Sequence, residues 1–260
     1  MKGKFTFLGT GASLGVPMIG CGCEVCCSTS HFNNRLRTSA LVQIGRKSFL
    51  IDSGPDFRYQ ALRGGIEHLS GVLYTHSHHD HTAGIDDLRP FHFMTDSPIP
   101  LLGLQETIED IKKRFYFLFK PTLDGNTARL KEFFLPERKG KVIFQDVEIS
   151  YYTYYQDNMP VNAFRFGDLA YVSDIKDYQS DIFDWLKGVK TVVVSALRYT
   201  PSLIHLSVDE AVDFVNRSGA ARGWLTHTSH DLEYEKTNAC LPSHVQLAYD
   251  GLELEFEEGT

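Results

Sequence analysis

The stretch THSHHDHTAG, residues 75–84, places four histidines and one aspartate within positions 76–81. It directly follows a short apolar run, Gly71–Tyr74, which has the character of a buried strand. Neutral imidazoles are good ligands for divalent zinc, iron or manganese, and they contribute little to a hydrophobic core. The sequence therefore predicts a divalent metal site at a strand end, and a solvated polar loop is the alternative interpretation.

The ligand pattern within this stretch is H-x-H-x-D-H, formed by His76, His78, Asp80 and His81. Alternation in a loop after a strand aims side chains in two directions. We therefore expect His76 and His78 to bind one ion, and Asp80 and His81 to bind a second.

The composition restricts the classes of protein that the chain could be. With 260 residues, 42% of them hydrophobic and 23% charged, we expect one globular domain over residues 1–260. The net charge of −7 argues against a broad nucleic-acid-binding face, which needs a basic stripe. No apolar run is long enough to span a bilayer, and the start lacks the pattern of a signal peptide.

Five cysteines are present, and four of them lie within residues 21–27. An odd, clustered set is unlike a disulfide framework of a secreted protein. The spacing of Cys21, Cys23 and Cys26 is instead typical of a thiolate metal site in a reducing environment. We therefore expect a cytoplasmic protein.

Strands are predicted in runs along the chain, with a few helices between them. Strands are expected at residues 4–8, 39–44, 48–51, 71–74, 142–155, 163–172, 224–225 and 245–247. Apolar periodicity predicts a helix over Thr107–Phe119, and Ser207 with Glu210 is typical of the start of a helix that runs to about Arg217. This order favours an α+β fold, in which two sheets pack together with helices outside (αββα).

The histidine pattern after an apolar strand resembles the metallo-β-lactamase fold superfamily. Three further residues fit the same family pattern in the same order, and the resemblance covers nearly the whole chain. It implies that Asp52 orients the metal loop through hydrogen bonds, that Asp174 bridges two metal ions, and that His227 is the last histidine ligand.

More closely, the chain is similar to the branch that contains the cyclic phosphate phosphodiesterase of the carbon–phosphorus lyase pathway (PhnP-like). Three motifs carry this similarity: Gly-x-Pro-x-x-Gly-Cys-x-Cys-x-x-Cys at 15–26, Ala-Leu-Arg followed by His205-Leu-Ser, and Thr-His-x-Ser-His at 226–230. The resemblance implies that His205 reaches the active site and assists catalysis. It also implies a structural zinc ion held by Cys21, Cys23, Cys26 and His230.

The chain departs from the family pattern at one ligand. A histidine usually completes the first metal site, four residues before a proline that begins a strand; here Gln156 stands four residues before Pro160. A neutral amide is a weak zinc ligand, and the carboxylate of Asp157 could replace it after a small shift of the loop. We therefore predict unequal sites, with the first bound more weakly. The second has a fuller ligand set: Asp80, His81, Asp174 and His227.

These features predict a metal-dependent hydrolase, with two zinc or manganese ions that activate water against a small or cyclic phosphodiester. Asp80 and His205 are the predicted catalytic residues, and Arg35, Arg37 and Arg89 could contact phosphate, although solvated surface positions explain them more simply. Other ester or thioester hydrolysis remains an alternative, as does a weakly active protein that binds a nucleotide or metabolite. Nucleic acid beyond short nucleotides and membranes are not expected as partners, and a homodimer remains open.

Overall fold

Two seven-stranded β-sheets form the centre of the fold in the computed structural model, which describes residues 2–120 and 129–258. The first sheet has the order β14-β1-β2-β3-β4-β5-β6, and the second has the order β13-β12-β11-β10-β9-β8-β7. The strands are β1 Lys2–Gly9, β2 Ser39–Ile44, β3 Lys47–Ile51, β4 Gly71–Leu73, β5 Ile99–Gly103, β6 Leu130–Phe134, β7 Lys139–Phe144, β8 Val147–Gln156, β9 Met159–Phe166, β10 Leu169–Val172, β11 Thr191–Ser195, β12 Arg222–Thr226, β13 Val245–Leu247 and β14 Glu253–Glu257.

Helices lie between the strands along the chain. The α-helices are α1 Phe57–Arg63, α2 His79–Thr82, α3 Arg89–Thr95, α4 Gln105–Arg114, α5 Ile182–Leu186, α6 Val208–Ser218 and α7 Tyr234–Cys240. Short 3₁₀ helices occur at His31–Asn33, Ile85–Leu88 and Tyr116–Phe119. No helix in the described part of the chain is long and apolar enough to cross a membrane.

Each sheet has a parallel half and an antiparallel half. Strands β3 to β6 run parallel in the first sheet, and strands β10 to β13 run parallel in the second. The carboxyl ends of parallel strands lie at the same edge of a sheet, where loops commonly carry functional side chains. Functional side chains are therefore expected at the ends of β3, β4, β10, β11 and β12.

Three buried apolar clusters define the layers of the molecule. The central cluster lies between the sheets and includes Phe7 and Phe49 from the first sheet and Phe164 and Tyr171 from the second. A second cluster joins the outer face of the second sheet to α5 and α6, and a third joins the outer face of the first sheet to α1, α3 and α4. The predicted αββα architecture is therefore confirmed.

Two predicted strands are each two strands in the structure. The run 142–155 is divided at Gln145 and Asp146, whose φ angles of 50° and 68° form a tight turn between β7 and β8. The run 163–172 is divided at Gly167, which has a φ of 56° and separates β9 from β10. Residues at positive φ allow the two-residue turns that join antiparallel strands, so these apolar runs fold back on themselves.

The predicted helices are found, with different bounds. Helix α6 begins after Ser207, whose side chain accepts a hydrogen bond from the Glu210 backbone N–H while the Glu210 carboxylate accepts one from the Ser207 N–H. This capping box was expected from the sequence. Helix α4 ends at Arg114, because the chain leaves the α conformation at Phe115 and continues as a 3₁₀ turn.

Candidate metal centre

The histidine loop lies where ends of strands from both sheets meet. Thr75 follows β4, and its carbonyl oxygen accepts a hydrogen bond of 2.9 Å from the backbone N–H of Asn162 in β9. Asp52 follows β3 in the first sheet, while Asp174 and His227 follow β10 and β12 in the second. The sandwich therefore gathers residues that are far apart in the sequence around one point.

Three of these residues have a left-handed backbone conformation. The φ angles are 60° at Asp52, 55° at Asp174 and 55° at His227. Non-glycine residues rarely adopt this conformation, which costs on the order of 1 kcal/mol or more and is concentrated at functional sites. At each strand end the chain turns sharply here, so that Asp174 and His227 face the common centre and Asp52 lies behind His81.

Ligand atoms of four residues lie at separations close to those between ligands of a metal ion, with His81 and His227 facing different oxygens of Asp174. Asp80 Oδ2 is 3.5 Å from both His81 Nε2 and His227 Nε2. The Asp174 carboxylate is 3.3 Å from His81 Nε2 and 3.2 Å from His227 Nε2. Nitrogen and oxygen ligands about 2.0–2.1 Å from a tetrahedral zinc ion are about 3.3–3.4 Å apart. Asp80, His81 and His227 thus form one group of close ligand atoms, and Asp174 adds one carboxylate oxygen beside each of the two histidines.

Unsatisfied polar atoms support the same interpretation. Nε2 of His81 and both ring nitrogens of His227 are buried and have no hydrogen-bond partner among residues 2–120 and 129–258. A buried polar atom without a partner costs free energy, so such atoms require an explanation. Imidazole nitrogens directed at two carboxylates are accounted for by a bound cation.

The electrostatics of the cluster are those of a cation site. Burial disfavours ionisation of Asp174, but the nearby imidazoles of His227 and His81 hold the pKa of its carboxyl well below the usual range. The same two histidines outweigh burial and lower the pKa of Asp80. Both carboxylates are therefore ionised at neutral pH in an interior from which water is largely excluded.

Asp52 orients the cluster without facing it. Its Oδ2 accepts hydrogen bonds of 2.7 Å from His81 Nδ1 and from the Thr75 hydroxyl, and its Oδ1 accepts one of 2.8 Å from the Thr75 N–H. These contacts fix the proton of His81 on Nδ1 and direct Nε2 towards the carboxylates. An outer partner of this kind is typical of a metal-binding histidine.

The histidine loop is held from two sides. Gly54 lies so close to helix α2 that a Cβ atom there would be 2.1 Å from the carbonyl oxygen of Asp80. On the other side, the Arg114 guanidinium donates hydrogen bonds to the carbonyl oxygen of Ser77 and, at 3.3 Å, to the Thr82 hydroxyl. Arg114 was not predicted to have a role, because its contact with a loop 37 residues earlier leaves no local signal.

His76 and His78 form a less complete group. Their facing ring nitrogens are 3.0 Å apart, so that one ion could contact both. His76 is buried and lies within 4.8 Å of the ligand atoms of His81 and Asp174, whereas His78 is exposed. The structure thus brings these two histidines to the same centre, at its solvent side.

Gln156 reaches the cluster, and Asp157 does not. The Gln156 side chain is buried, and its Nε2 is 3.4 Å from Asp174 Oδ1. Asp157 is exposed in the turn after β8, with a φ of 53°, and its carboxylate accepts a hydrogen bond from Asn158. The predicted replacement of the missing ligand by Asp157 is therefore not supported by the geometry, because successive residues at this strand end point in opposite directions.

His205 also lies within the cluster. Its Nδ1 is 3.3 Å from Asp174 Oδ1, and its ring stacks on that of His227 with a centroid distance of 4.9 Å. Burial lowers the pKa of His205 to about 4. The imidazole is therefore neutral at pH 7 in the metal-free protein.

A second group of ligands joins three cysteines of the loop between β1 and β2 to His230, which follows β12. Ligand atoms of Cys21, Cys23, Cys26 and His230 are all within 4.8 Å of one another. His230 Nδ1 is 3.5 Å from the sulfur of Cys21 and 3.3 Å from that of Cys23. In a tetrahedral zinc site, a sulfur and a nitrogen ligand are about 3.5 Å apart. The hydrogen bond with His230 lowers the pKa of the Cys23 thiol to about 6, which favours the thiolate that binds metal.

Arg35 joins the two groups and does not face a substrate. Its side chain is buried, and it donates hydrogen bonds to the Thr228 hydroxyl and to the carbonyl oxygens of Ser229 and Leu232. These acceptors belong to the loop that carries His227 and His230. Arg35 thus fixes the position of this loop, which corrects the expectation of a surface or phosphate-binding arginine.

Comparison with known proteins agrees with the fold. A family model described as a beta-lactamase superfamily domain matches residues 47–228. A crystal structure described as a new diphosphatase from the PhnP family is 35% identical, covers 100% of this chain and 99% of its own, and superposes with a TM-score of 0.92.

Two curated relatives show similarity over different extents. An octanoyltransferase from Porphyromonas gingivalis is 34% identical over 258 residues, which are 96% of this chain and 51% of that protein. A ribonuclease Z from Mycobacterium bovis is 30% identical over 116 residues, or 42% of this chain and 36% of that protein. This chain therefore spans about half the length of the octanoyltransferase. Family match, fold and whole-chain similarity together show that the chain belongs to the β-lactamase superfamily, with the metallo-β-lactamase fold and a PhnP-like sequence.

Proposed function

We propose that this chain is a metal-dependent phosphodiesterase that acts on a small or cyclic phosphodiester. The observation that carries the proposal is the convergence of Asp80, His81, Asp174 and His227, in which each carboxylate lies 3.2–3.5 Å from both imidazoles. Phosphate esters are favoured over other substrates because similarity over the whole chain is to a protein named as a diphosphatase, and a partial match is to a ribonuclease.

Divalent ions bound at this centre would polarise the phosphoryl oxygen and lower the pKa of a water molecule. Asp52 holds the imidazole of His81 in the tautomer that binds through Nε2. The carboxylate of Asp80, ionised because nearby imidazoles lower its pKa, would accept a hydrogen bond from the attacking water and so orient it. The sequence predicts that His205 donates a proton or a hydrogen bond to the leaving oxygen. This role requires that its imidazole does not bind metal.

A second candidate function is hydrolysis of an acyl ester or thioester. The 34% identity to an octanoyltransferase over 96% of this chain favours an acyl substrate. Because half of that protein lies outside the match, its name need not describe the matching half. The same centre could serve either reaction, since metal polarisation acts on carbonyl and phosphoryl oxygens alike.

An assay with bis(p-nitrophenyl) phosphate and an octanoyl thioester, on metal-loaded protein, separates the two functions. We expect turnover of the phosphodiester. Turnover should be lost in Asp80→Ala and in His227→Ala, because each change removes one of the side chains proposed to bind the metal. Hydrolysis of the thioester without the phosphodiester would favour the second candidate. Two bound ions with no turnover of either would contradict both and indicate a binding protein.

A further inference from the structure

His205 and Gln156 are arranged around one oxygen atom of Asp174. Asp174 Oδ1 is 3.2 Å from His227 Nε2, 3.3 Å from His205 Nδ1 and 3.4 Å from Gln156 Nε2. The other carboxylate oxygen is 3.3 Å from His81 and accepts a hydrogen bond of 2.7 Å from the Ser173 hydroxyl. The two oxygens of Asp174 thus face different sets of side chains.

The set around Oδ1 has the spacing of a metal site. Ligand atoms of Asp174, His205 and His227 lie within 4.8 Å of one another, and all three residues are buried. Separations of 3.2–3.3 Å are close to those expected between ligands of an ion bound at about 2.0–2.1 Å. His205 therefore lies where a metal ligand is expected. The neighbouring Gln156 has no imidazole with which to bind the metal.

The fold holds His205 in this position by the backbone that directly follows it. The Leu197 N–H donates to the carbonyl oxygen of Leu206, and the Val208 N–H donates to that of Arg198. Ser207, two residues after His205, begins helix α6 with its capping box. The chain is thus fixed directly after His205, where it enters the helix.

Gln156 supports the imidazole at its edge. Gln156 Nε2 is 3.2 and 3.3 Å from the two ring nitrogens of His205, and Gln156 Oε1 is buried without a hydrogen-bond partner in the described part of the chain. An amide carries both a donor and an acceptor, and its two ends are nearly equivalent in shape. As placed, the Gln156 amide N–H donates to a ring nitrogen of His205; with the two amide ends exchanged, its oxygen would accept a hydrogen bond from the N–H that a metal-bound imidazole directs away from the ion.

We propose that His205 is a metal ligand of this chain, that it shares Asp174 and His227 with the centre, and that Gln156 positions its imidazole. This assignment rests on the metal centre of the proposed function, but not on the identity of the substrate. It gives Gln156 a supporting role in place of direct metal binding, and it removes His205 from the role of proton donor.

Titration of the metal-free protein with Co²⁺ tests the assignment. Affinity is read from visible absorption, and coordinated imidazoles are counted by their hyperfine-shifted N–H resonances in the proton NMR spectrum. We expect His205→Ala to weaken cobalt binding at the centre at least about 10-fold and to lose one N–H resonance. Gln156→Leu, which keeps the shape and removes the amide, should weaken binding by about 10-fold while keeping the resonance count.

His244→Ala is the matched control, because His244 bonds to Asn216 away from the centre. Added imidazole should restore cobalt affinity to His205→Ala, a rescue that a general loss of folding would not permit. A His205→Ala protein with the cobalt affinity and resonance count of the wild type would overturn the assignment. If that variant also lost diester turnover, His205 would be a catalytic residue instead. Cobalt binding by the wild type without diester hydrolysis would instead contradict the proposed function alone.

Discussion

Replacing Asp174 with alanine is expected to reduce hydrolysis of bis(p-nitrophenyl) phosphate by at least about 1,000-fold, because its carboxylate lies beside three imidazoles of the centre. Its two oxygens lie 3.2–3.3 Å from His81, His205 and His227. Without this carboxylate the remaining ligands carry less negative charge and lose their common partner. The contribution of bound metal to the transition state is several kcal/mol, and about 4 kcal/mol corresponds to a factor of about 1,000 in rate.

Steady-state kinetics and metal analysis on the same preparation check this result. Asp213→Ala is the control, since Asp213 forms an exposed ion pair with Arg217 on helix α6 and should leave turnover unchanged. Circular dichroism establishes that the Asp174 variant is folded. A folded Asp174→Ala protein with turnover within about 10-fold of the wild type would contradict the proposed role of the carboxylate.

Replacing Cys23 with serine is expected to remove about one equivalent of zinc and to lower Tm by roughly 10 °C. Cys23 and His230 are 207 positions apart, so a zinc ion at the thiolate group would tie the loop after β1 to the loop after β12. Structural zinc contributes about 10–16 kcal/mol of apparent binding free energy in small domains. Loss of even about 4 kcal/mol lowers Tm by roughly 10 °C in a domain of this size.

Cys27→Ser provides a matched control four residues along the same loop. Cys27 is an exposed free thiol, and Sγ of this residue is not part of the four-ligand group. Zinc content by mass spectrometry and Tm by calorimetry should therefore match the wild type in Cys27→Ser and fall in Cys23→Ser. Equal zinc content and equal Tm in the two variants would show that the cysteine loop is not a metal site.

The centre could be predicted where its residues carry a local signal. The run 76–81 is dense in ligands and follows an apolar strand, so its position at a strand end was visible in the sequence. Asp52, Asp174 and His227 were identified only through the resemblance, because single aspartates and histidines after strands are common. In the structure, all three have a left-handed backbone conformation at a strand end, and the amino-acid sequence does not reveal this conformation.

The missing ligand shows where sequence reasoning ends. Gln156 and Asp157 are adjacent, and the chemistry of metal ligands alone favours the carboxylate. The structure instead places the Gln156 amide beside Asp174, since Gln156 is the last residue of β8 and points inward, while Asp157 points outward. Only the register of β8 and β9, with Gln156 opposite Met159, determines which side chain faces Asp174.

Other differences arise from turns and from distant contacts. The strand pair β7 and β8 has Gln145-Asp146 at its turn, without the glycine that usually marks such a turn, so the two strands were predicted as one. Arg35 lies in a polar stretch that suggests a surface position. Its burial depends on acceptors nearly 200 residues away, at Thr228 and Leu232.

The most direct test of the central claim is an anomalous difference map from crystals of the protein grown with excess zinc, measured at the zinc absorption edge. We predict a strong peak about 2.0–2.2 Å from ligand atoms of Asp80, His81, Asp174 and His227. A map with only solvent density among these four side chains, at full zinc saturation, would contradict the account.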